Sequence, residues 1–358
     1  MRRDRLTFAM MVGVPIMQLI LFGFAINTDP KGLPMAVVVA DQSEFSRSLI
    51  SGLENSAYFR VTHRPQNEAD ANRLLEKGDV QFVLVVPPDF SRQLLRGERP
   101  VILLAADATD PAASGNALAA LNNISRQVLS RDLTGPLKHF QPTDMPYEVR
   151  VQRRYNPEGL ARYNIVPGLM GVILTMTMVM MTALAMTRER ERGTMENLLA
   201  TPARPIEVMV GKIAPYILIG YVQVVVILLA AWLLFGVPMV GSLALLSAAL
   251  VVFMAANLAV GFTFSTIAKN QLQAMQLTFF FFLPSLLLSG FMFPFRGMPG
   301  WAQVIGEAMP LTHFLRIVRG IMLKGNTLVD IVPHVWPIAL FMLVAGVIAL
   351  TRYRQTLD

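Results

Sequence analysis

Six stretches of this sequence run almost without charge, each long enough to cross the hydrocarbon core of a bilayer as a helix, which takes about 20 residues. They are 6–27, 165–187, 213–235, 243–268, 271–295 and 331–351. A soluble globule of this size has no interior large enough to hide them. Hydrophobic residues make up 54% of the chain and charged residues only 15%, against the usual quarter, so much of the surface faces lipid. Inside lipid each backbone N–H and C=O must be satisfied within its own segment, which makes these runs helices. Pro15 is tolerable in the first because neighbouring spans can re-satisfy the freed carbonyl. Pro284, Gly290 and Phe293-Pro294 mark the fifth as kinked or broken.

Between the first and second runs the chain changes character. Asn27 to Arg162 holds 16 basic and 16 acidic residues, so the whole net charge of +7 belongs to the membrane half. Short β-branched apolar runs at 35–40, 59–63, 80–86 and 101–106, with a last strand at 147–153, alternate with helical spacing at 43–55, 66–77, 88–96 and from Pro111 towards Thr134. This alternation predicts an α/β domain over 28–162 with a mostly parallel sheet covered by helices. Asp41 and Asp107 sit just beyond strand ends, where aspartates either meet a ligand or cap the next turn.

Charge sets the orientation. With a cytosolic N-terminus the inside residues are Arg2, Arg3, Arg5, Arg188, Arg190, Arg192, Arg204, Lys212, Lys269, Arg352 and Arg354, and the outside short segments hold Arg296, Arg316, Arg319 and Lys324. Both termini are therefore expected in the cytosol and the α/β domain outside, since long loops translocate regardless of charge. The run 6–27 reads as a retained signal anchor because no small-residue cleavage site follows it. The segment 296–326 is too charged to span and reads as amphipathic, lying at or dipping into the outer interface. Basic residues at membrane-flanking loops explain the high pI without nucleic acid.

Several chemistries are excluded. The spans carry only mild polar groups, such as Gln18, Asn257, Gln273, Gln276 and His334, so no mid-span carboxylate or base couples an ion gradient to transport. No G-x-x-x-x-G-K-[ST], G-x-S-x-G or H-E-x-x-H occurs, cysteine is absent, and His63, His139, His313 and His334 are scattered. The chain is thus expected to be neither an enzyme nor a metal protein, and if it moves anything the energy comes from another chain. The methionines of 165–187 and Phe279–Phe282 go round their helices, as lipid contact requires, with substrate contact as the second reading.

Charge is dense in the membrane half only at Arg188–Lys212, RERERGTMENLLATPARPIEVMVGK. Leu198, Leu199 and Met195 share one helical side and Glu189, Glu191 and Arg192 largely the other, which predicts a short amphipathic helix outside the bilayer, stopped at Thr201-Pro202. Glu191, Arg192, Gly193, Thr194, Glu196, Leu198, Leu199, Thr201 and Pro202 resemble the ERE-x-GT-x-E-x-LL-x-TP signature of ABC-2 type exporter permeases, and PxLLLSGFxFP and MPLTHFLRIVRGIMLKG extend the likeness over most of the chain. The resemblance implies a coupling helix at 188–202 docking into a separate ABC ATPase subunit, which binds the ATP and magnesium, while this chain holds no cofactor. It implies re-entrant helices at 296–326, with an outer gate at Pro284, Gly290, Pro294, Pro310, Arg319 and Gly320. Six spans with an external domain after the first look like the drug-exporting branch, whose members work as homodimers or paired permeases, sometimes with a periplasmic membrane-fusion protein. That family normally has an amphipathic connecting helix before its first span; this sequence starts almost at the membrane, so either that helix is missing or the start was assigned downstream of the true one. The rival class is a membrane-anchored receptor whose external domain senses a ligand without transport.

Overall fold

The computed structural model describes residues 13, 15–23, 29–127, 147–193 and 205–352. Contacts divide the chain into two compact units, Asn27–Asn164, and Met1–Ile26 together with Ile165–Asp358. Residues 15–23, helical throughout, form α1.

The first-named unit is a five-stranded sheet in the order β2-β1-β3-β4-β5, built from β1 (Leu33–Val39), β2 (Phe59–His63), β3 (Phe82–Val86), β4 (Val101–Asp107) and β5 (Glu148–Arg154). β1 runs parallel to β2 and β3, β4 parallel to β5, and the β3–β4 pair is antiparallel, with Phe82 opposite Ala106. Strand alternation sends Leu33, Met35 and Val37 to one face and Ala36 and Val38 to the other. The first face packs on α2 (Glu44–Asn55), α4 (Phe90–Arg96) and α5 (Pro111–Gln127) through Leu49, Leu53, Phe90 and Leu121; the second packs on α3 (Glu68–Lys77) through Ala71 and Leu75. Coverage on both faces is why β1 is a continuous apolar run rather than an alternating one. Local signals bound the helices. Ser43 and Asn67 cap α2 and α3 by accepting from Ser46 N and Asp70 N, and Gly78 ends α3 with φ +82°.

The strand-end aspartates cap turns here. Asp41 accepts from Ser43 N at 3.0 Å and also from Ser91 N, tying the starts of α2 and α4 together. Burial opposes its charge, but the hydrogen bonds from Ser91 and Ser43 outweigh that and hold its carboxyl below the usual range. Asp107 accepts from Thr109 N at 3.0 Å and Thr109 Oγ1 at 2.7 Å.

The other unit is helical. After α1 come α6 (Ala161–Glu191), α7 (Pro205–Leu233), α8 (Leu243–Ile267), α9 (Gln271–Leu288), α10 (Gly300–Glu307), α11 (Pro310–Arg319) and α12 (Leu328–Arg352), with a 3₁₀ turn at Phe295–Gly297 and a π-helical turn at Gly320–Lys324. Five helices among the described residues, α6 to α9 and α12, are long and apolar enough to cross a membrane. Their polar side chains are mostly satisfied inside the helices: Thr175, Thr182, Thr187 and Thr278 each donate to the carbonyl four residues back, and Thr263 also donates to Ala345 O on α12. Glycine permits closest approach where α8 crosses α6, since a Cβ on Gly261 would lie 2.5 Å from Val179 O. Leu218, Val222, Val226 and Leu229 leave α7 with an exposed apolar face.

The fifth apolar run, read as kinked or broken, stops being helix at Leu288, where Ser289 and the positive φ of Gly290 turn the chain. In the segment that follows, all of α11 except Arg316 and Arg319 is buried, packed against α8 and α12, so its basic edge borders an otherwise covered helix. Met170, Met178 and Met186 of α6 are buried within the protein, away from lipid.

Candidate functional site

The membrane unit concentrates polar chemistry at its two ends. At the charged end Arg188–Glu191 form the last turn of α6 rather than a separate helix. Gly193 closes that turn with φ +72°, its N–H donating to Arg190 O at 3.2 Å, and a Cβ there would meet nothing. Its glycine is thus required by backbone conformation and not by a close neighbour. Glu191 reaches the start of α9: Oε1 accepts from Gln271 N at 2.8 Å and Oε2 from the Gln271 side-chain amide. Arg190 Nη1 donates to Ala268 O at 3.3 Å. Beneath these bonds Ala183, Ala268 and Ala274 form a small dry core with Leu184, Phe264 and Leu277. Thr194, Glu196, Leu198, Leu199, Thr201 and Pro202 lie outside the described residues, as does most of the 188–202 segment.

The opposite end is assembled by close contact. Arg319 Nη1 donates to Gly290 O at 3.4 Å, so two of the expected gate residues meet. A Cβ on Gly306 would lie 2.5 Å from Leu288 O, one on Gly168 2.6 Å from the Phe291 ring, and one on Gly241 2.5 Å from Ile321 O. Phe314 of α11 stacks on Phe253 of α8 with ring centroids 4.0 Å apart, and both are fully buried. Pro310 opens α11 at a position where no N–H is needed, and Gly320 follows its end against the Asn326 side chain. Pro284 lies inside α9, and Pro294 precedes the 3₁₀ turn, so neither joins the Gly290–Arg319 contact directly.

A polar cluster sits beside this packing. Arg316 holds Glu307 through two hydrogen bonds, at 2.6 and 3.1 Å, and lies over the Phe295 ring at 4.8 Å. His313 Nε2 is 2.8 Å from Glu307 O, and its Nδ1 is 3.5 Å from His334 Nδ1 on α12. Burial, with Arg316 adding to it, pushes the His313 imidazole below its ordinary value, so it is neutral and donates from Nε2 to the carbonyl. Burial opposes the charge of Glu307 too, yet the Arg316 hydrogen bonds and charge prevail and hold it below the usual carboxylate range. Among the described residues no group of three or more His, Asp or Glu is arranged to hold a metal ion.

The description of ABC-2 family transporter proteins matches residues 5–351. The chain belongs to the ABC-2 transporter family. It is 28% identical over 349 residues to the probable multidrug ABC transporter permease YbhS of Escherichia coli K12, covering 96% of this chain and 90% of that protein. It is 29% identical over 368 residues to the inner membrane transport permease YhhJ of the same organism, with 96% and 93% covered. It is also 23% identical over 330 residues to ABC transporter G family member 20 of Dictyostelium discoideum, covering 90% of this chain but 44% of that longer protein. No solved structure matches it. As an ABC-2 family member the chain is a membrane-spanning transport permease.

Two features of this ABC-2 permease escaped its sequence. His313 and His334 looked scattered, but the π-helical turn and the loop after it fold α12 back on α11 and bring the rings together. Nothing periodic links positions 21 apart. The Glu191–Gln271 bond joins positions 80 apart, and only the dense charge after α6 hinted that this helix end had a polar task.

Proposed function

We propose that this permease is one half of an ATP-driven exporter, moving drug-like or other amphipathic compounds outward across a bacterial inner membrane with energy from a separate ABC ATPase subunit. ATP and magnesium bind to that subunit. The permease works as a homodimer or with a homologous permease, and a periplasmic membrane-fusion protein completes the route in some assemblies. In this reading 6–27 supplies a sixth span, both termini are cytosolic, the sheet unit is periplasmic, and Gly290–Arg319 belongs to the outer gate.

The observation that carries the reading is the end of α6. A long apolar helix runs into a charged turn bonded to the next helical junction, and the sequence that follows matches the family's docking signature residue by residue. A joint that passes a stroke between subunits must be stiff, and apolar packing with charge-assisted hydrogen bonds provides stiffness. The test is reconstitution with an ABC ATPase, sought first in the neighbouring reading frames. Wild-type permease should co-purify with that ATPase and stimulate its hydrolysis when substrate is present. Gly193→Leu and Leu198→Asp/Leu199→Asp should abolish co-purification while leaving membrane insertion and dimerisation intact. A permease carrying all three changes that still binds its ATPase and exports at the normal rate would remove the main support. Ligand binding by the sheet unit without any stimulated hydrolysis would favour a receptor.

A further inference from the structure

Within that reading, which this inference extends, the docking role expected of Glu191 conflicts with where its carboxylate goes. Both oxygens are engaged inside the permease, one on the backbone and one on the side chain of Gln271. The preceding residue, Arg190, holds Ala268 O at the other end of the same turn. Two successive residues of α6 therefore grip the α8–α9 turn from both sides.

The turn they grip is already rigid. Ala268 N donates to Phe264 O at 2.8 Å, Lys269 N to Gln273 Oε1 at 2.8 Å, and Gln273 N to Asn270 Oδ1 at 2.9 Å. Gln273 is only 2% exposed, and Ala183, Ala268 and Ala274 are closed against one another beneath it. Asn270 already caps α9, so the bond between the Glu191 and Gln271 side chains exceeds what capping requires. α9 then runs 18 residues, about 27 Å at 1.5 Å per residue, to the opposite end. There Leu287 and Leu288 pack on Leu21, Met298 and Ala302, Leu288 O abuts Gly306, and Gly290 O receives Arg319.

We propose that Glu191 is a positioning residue: it clasps Gln271 so that a displacement of the charged segment after α6 is delivered to α9, and through α9 to the Gly290–Arg319 contact. The ATPase is held by other residues of the segment. What makes this more than a packing detail is that one helix, α9, begins at the clasp and ends two residues before Gly290, which gives a shift at one end a continuous packed route to the other.

Exchanging donor and acceptor tests it. Glu191→Ala removes both acceptors, and Gln271→Glu sets two carboxylates face to face. Either single variant should keep full co-purification with the ATPase and basal hydrolysis, while substrate-stimulated hydrolysis and export fall about tenfold. The double variant E191Q/Q271E restores a complementary pair, an amide donating to a carboxylate, and should recover both. Loss of ATPase binding in Glu191→Ala, or a double variant no better than the singles, overturns the proposal and returns Glu191 to the docking surface. A second readout uses the permease alone in nanodiscs. Amide exchange over 268–275 should speed up in each single variant and slow again in the double. Unchanged exchange in the singles overturns the clasp even if no ATPase partners this chain, whereas a clasp seen by exchange with no stimulated hydrolysis in wild type overturns the exporter reading instead.

Discussion

The two ends of the membrane unit are held by different physics. At the charged end α6 meets the α8–α9 turn through a few alanines and three hydrogen bonds, one donated by Arg190 and two accepted by Glu191, contacts that individually contribute little and re-form easily. At the opposite end glycines bring backbone against backbone, and a stacked aromatic pair is fully enclosed. A hydrogen-bonded clasp can open and close with modest loss, while a jammed contact resists until it gives way as a unit. The difference teaches where motion can begin and where it must be transmitted whole.

Substitutions that attack this contrast should differ in size. The largest effect is expected from Phe314→Ala, which removes one ring of the Phe253 stack and leaves a cavity among α6, α8 and α11. Destabilisation of about 3–5 kcal/mol should appear as a lower midpoint in denaturant titration of the purified permease. Gly306→Ala follows, because the new methyl meets the Leu288 carbonyl, which cannot swing aside as a side chain would. About 1–3 kcal/mol is expected in the same titration, and no change would mean that α10 slides freely past α9.

Acid should loosen the tight end. His313 is held below its ordinary value of 6.5, so the unfolded chain binds its proton first and stability falls as pH drops below about 6.5. Glu307, also lowered, adds to the loss only below its own ordinary value of 4.5. Thermal unfolding at pH 7.5 and 5.5 should show a lower midpoint in acid, and His313→Gln, which can still donate to Glu307 O, should narrow the gap. The smallest effect belongs to the charged end, where Gly193→Ala meets no neighbour and bears only the strain of a left-handed φ, about 1 kcal/mol. A larger loss of thermal stability there would show that this end too is jammed.

Much of the architecture was legible in the sequence because it rests on local regularities. Unbroken apolar length marks the long helices, alternation marks the strands, and Ser43, Asn67 and Gly78 announce helix ends within a residue or two. The sheet was readable as mostly parallel because β1 and β3 are apolar throughout, but the single reversal at β3–β4 depends on long-range packing and leaves no local mark. The site was less legible. Charge pointed to the end of α6, but the partner that fills Glu191's coordination is a glutamine in a polar turn that looked like any other loop. The extent of α11's burial left no local mark, because Arg316 and Arg319 suggest a wet face, when one folds back on Glu307 and the other reaches a backbone carbonyl.

That reversal between β3 and β4 has a topological consequence for the two leads of the sheet unit. Because β5 runs opposite to β1, the chain arrives at Leu33 and departs at Arg154 at the same end of the strands, three strand spacings apart. At about 4.8 Å per spacing the two points are separated by roughly 14 Å, a gap that four or five extended residues span. An all-parallel sheet would deliver the departing chain to the far end and need a further crossover to bring it home. The sheet unit is thus a cassette with both leads at one end, which a bridge of a few residues would join.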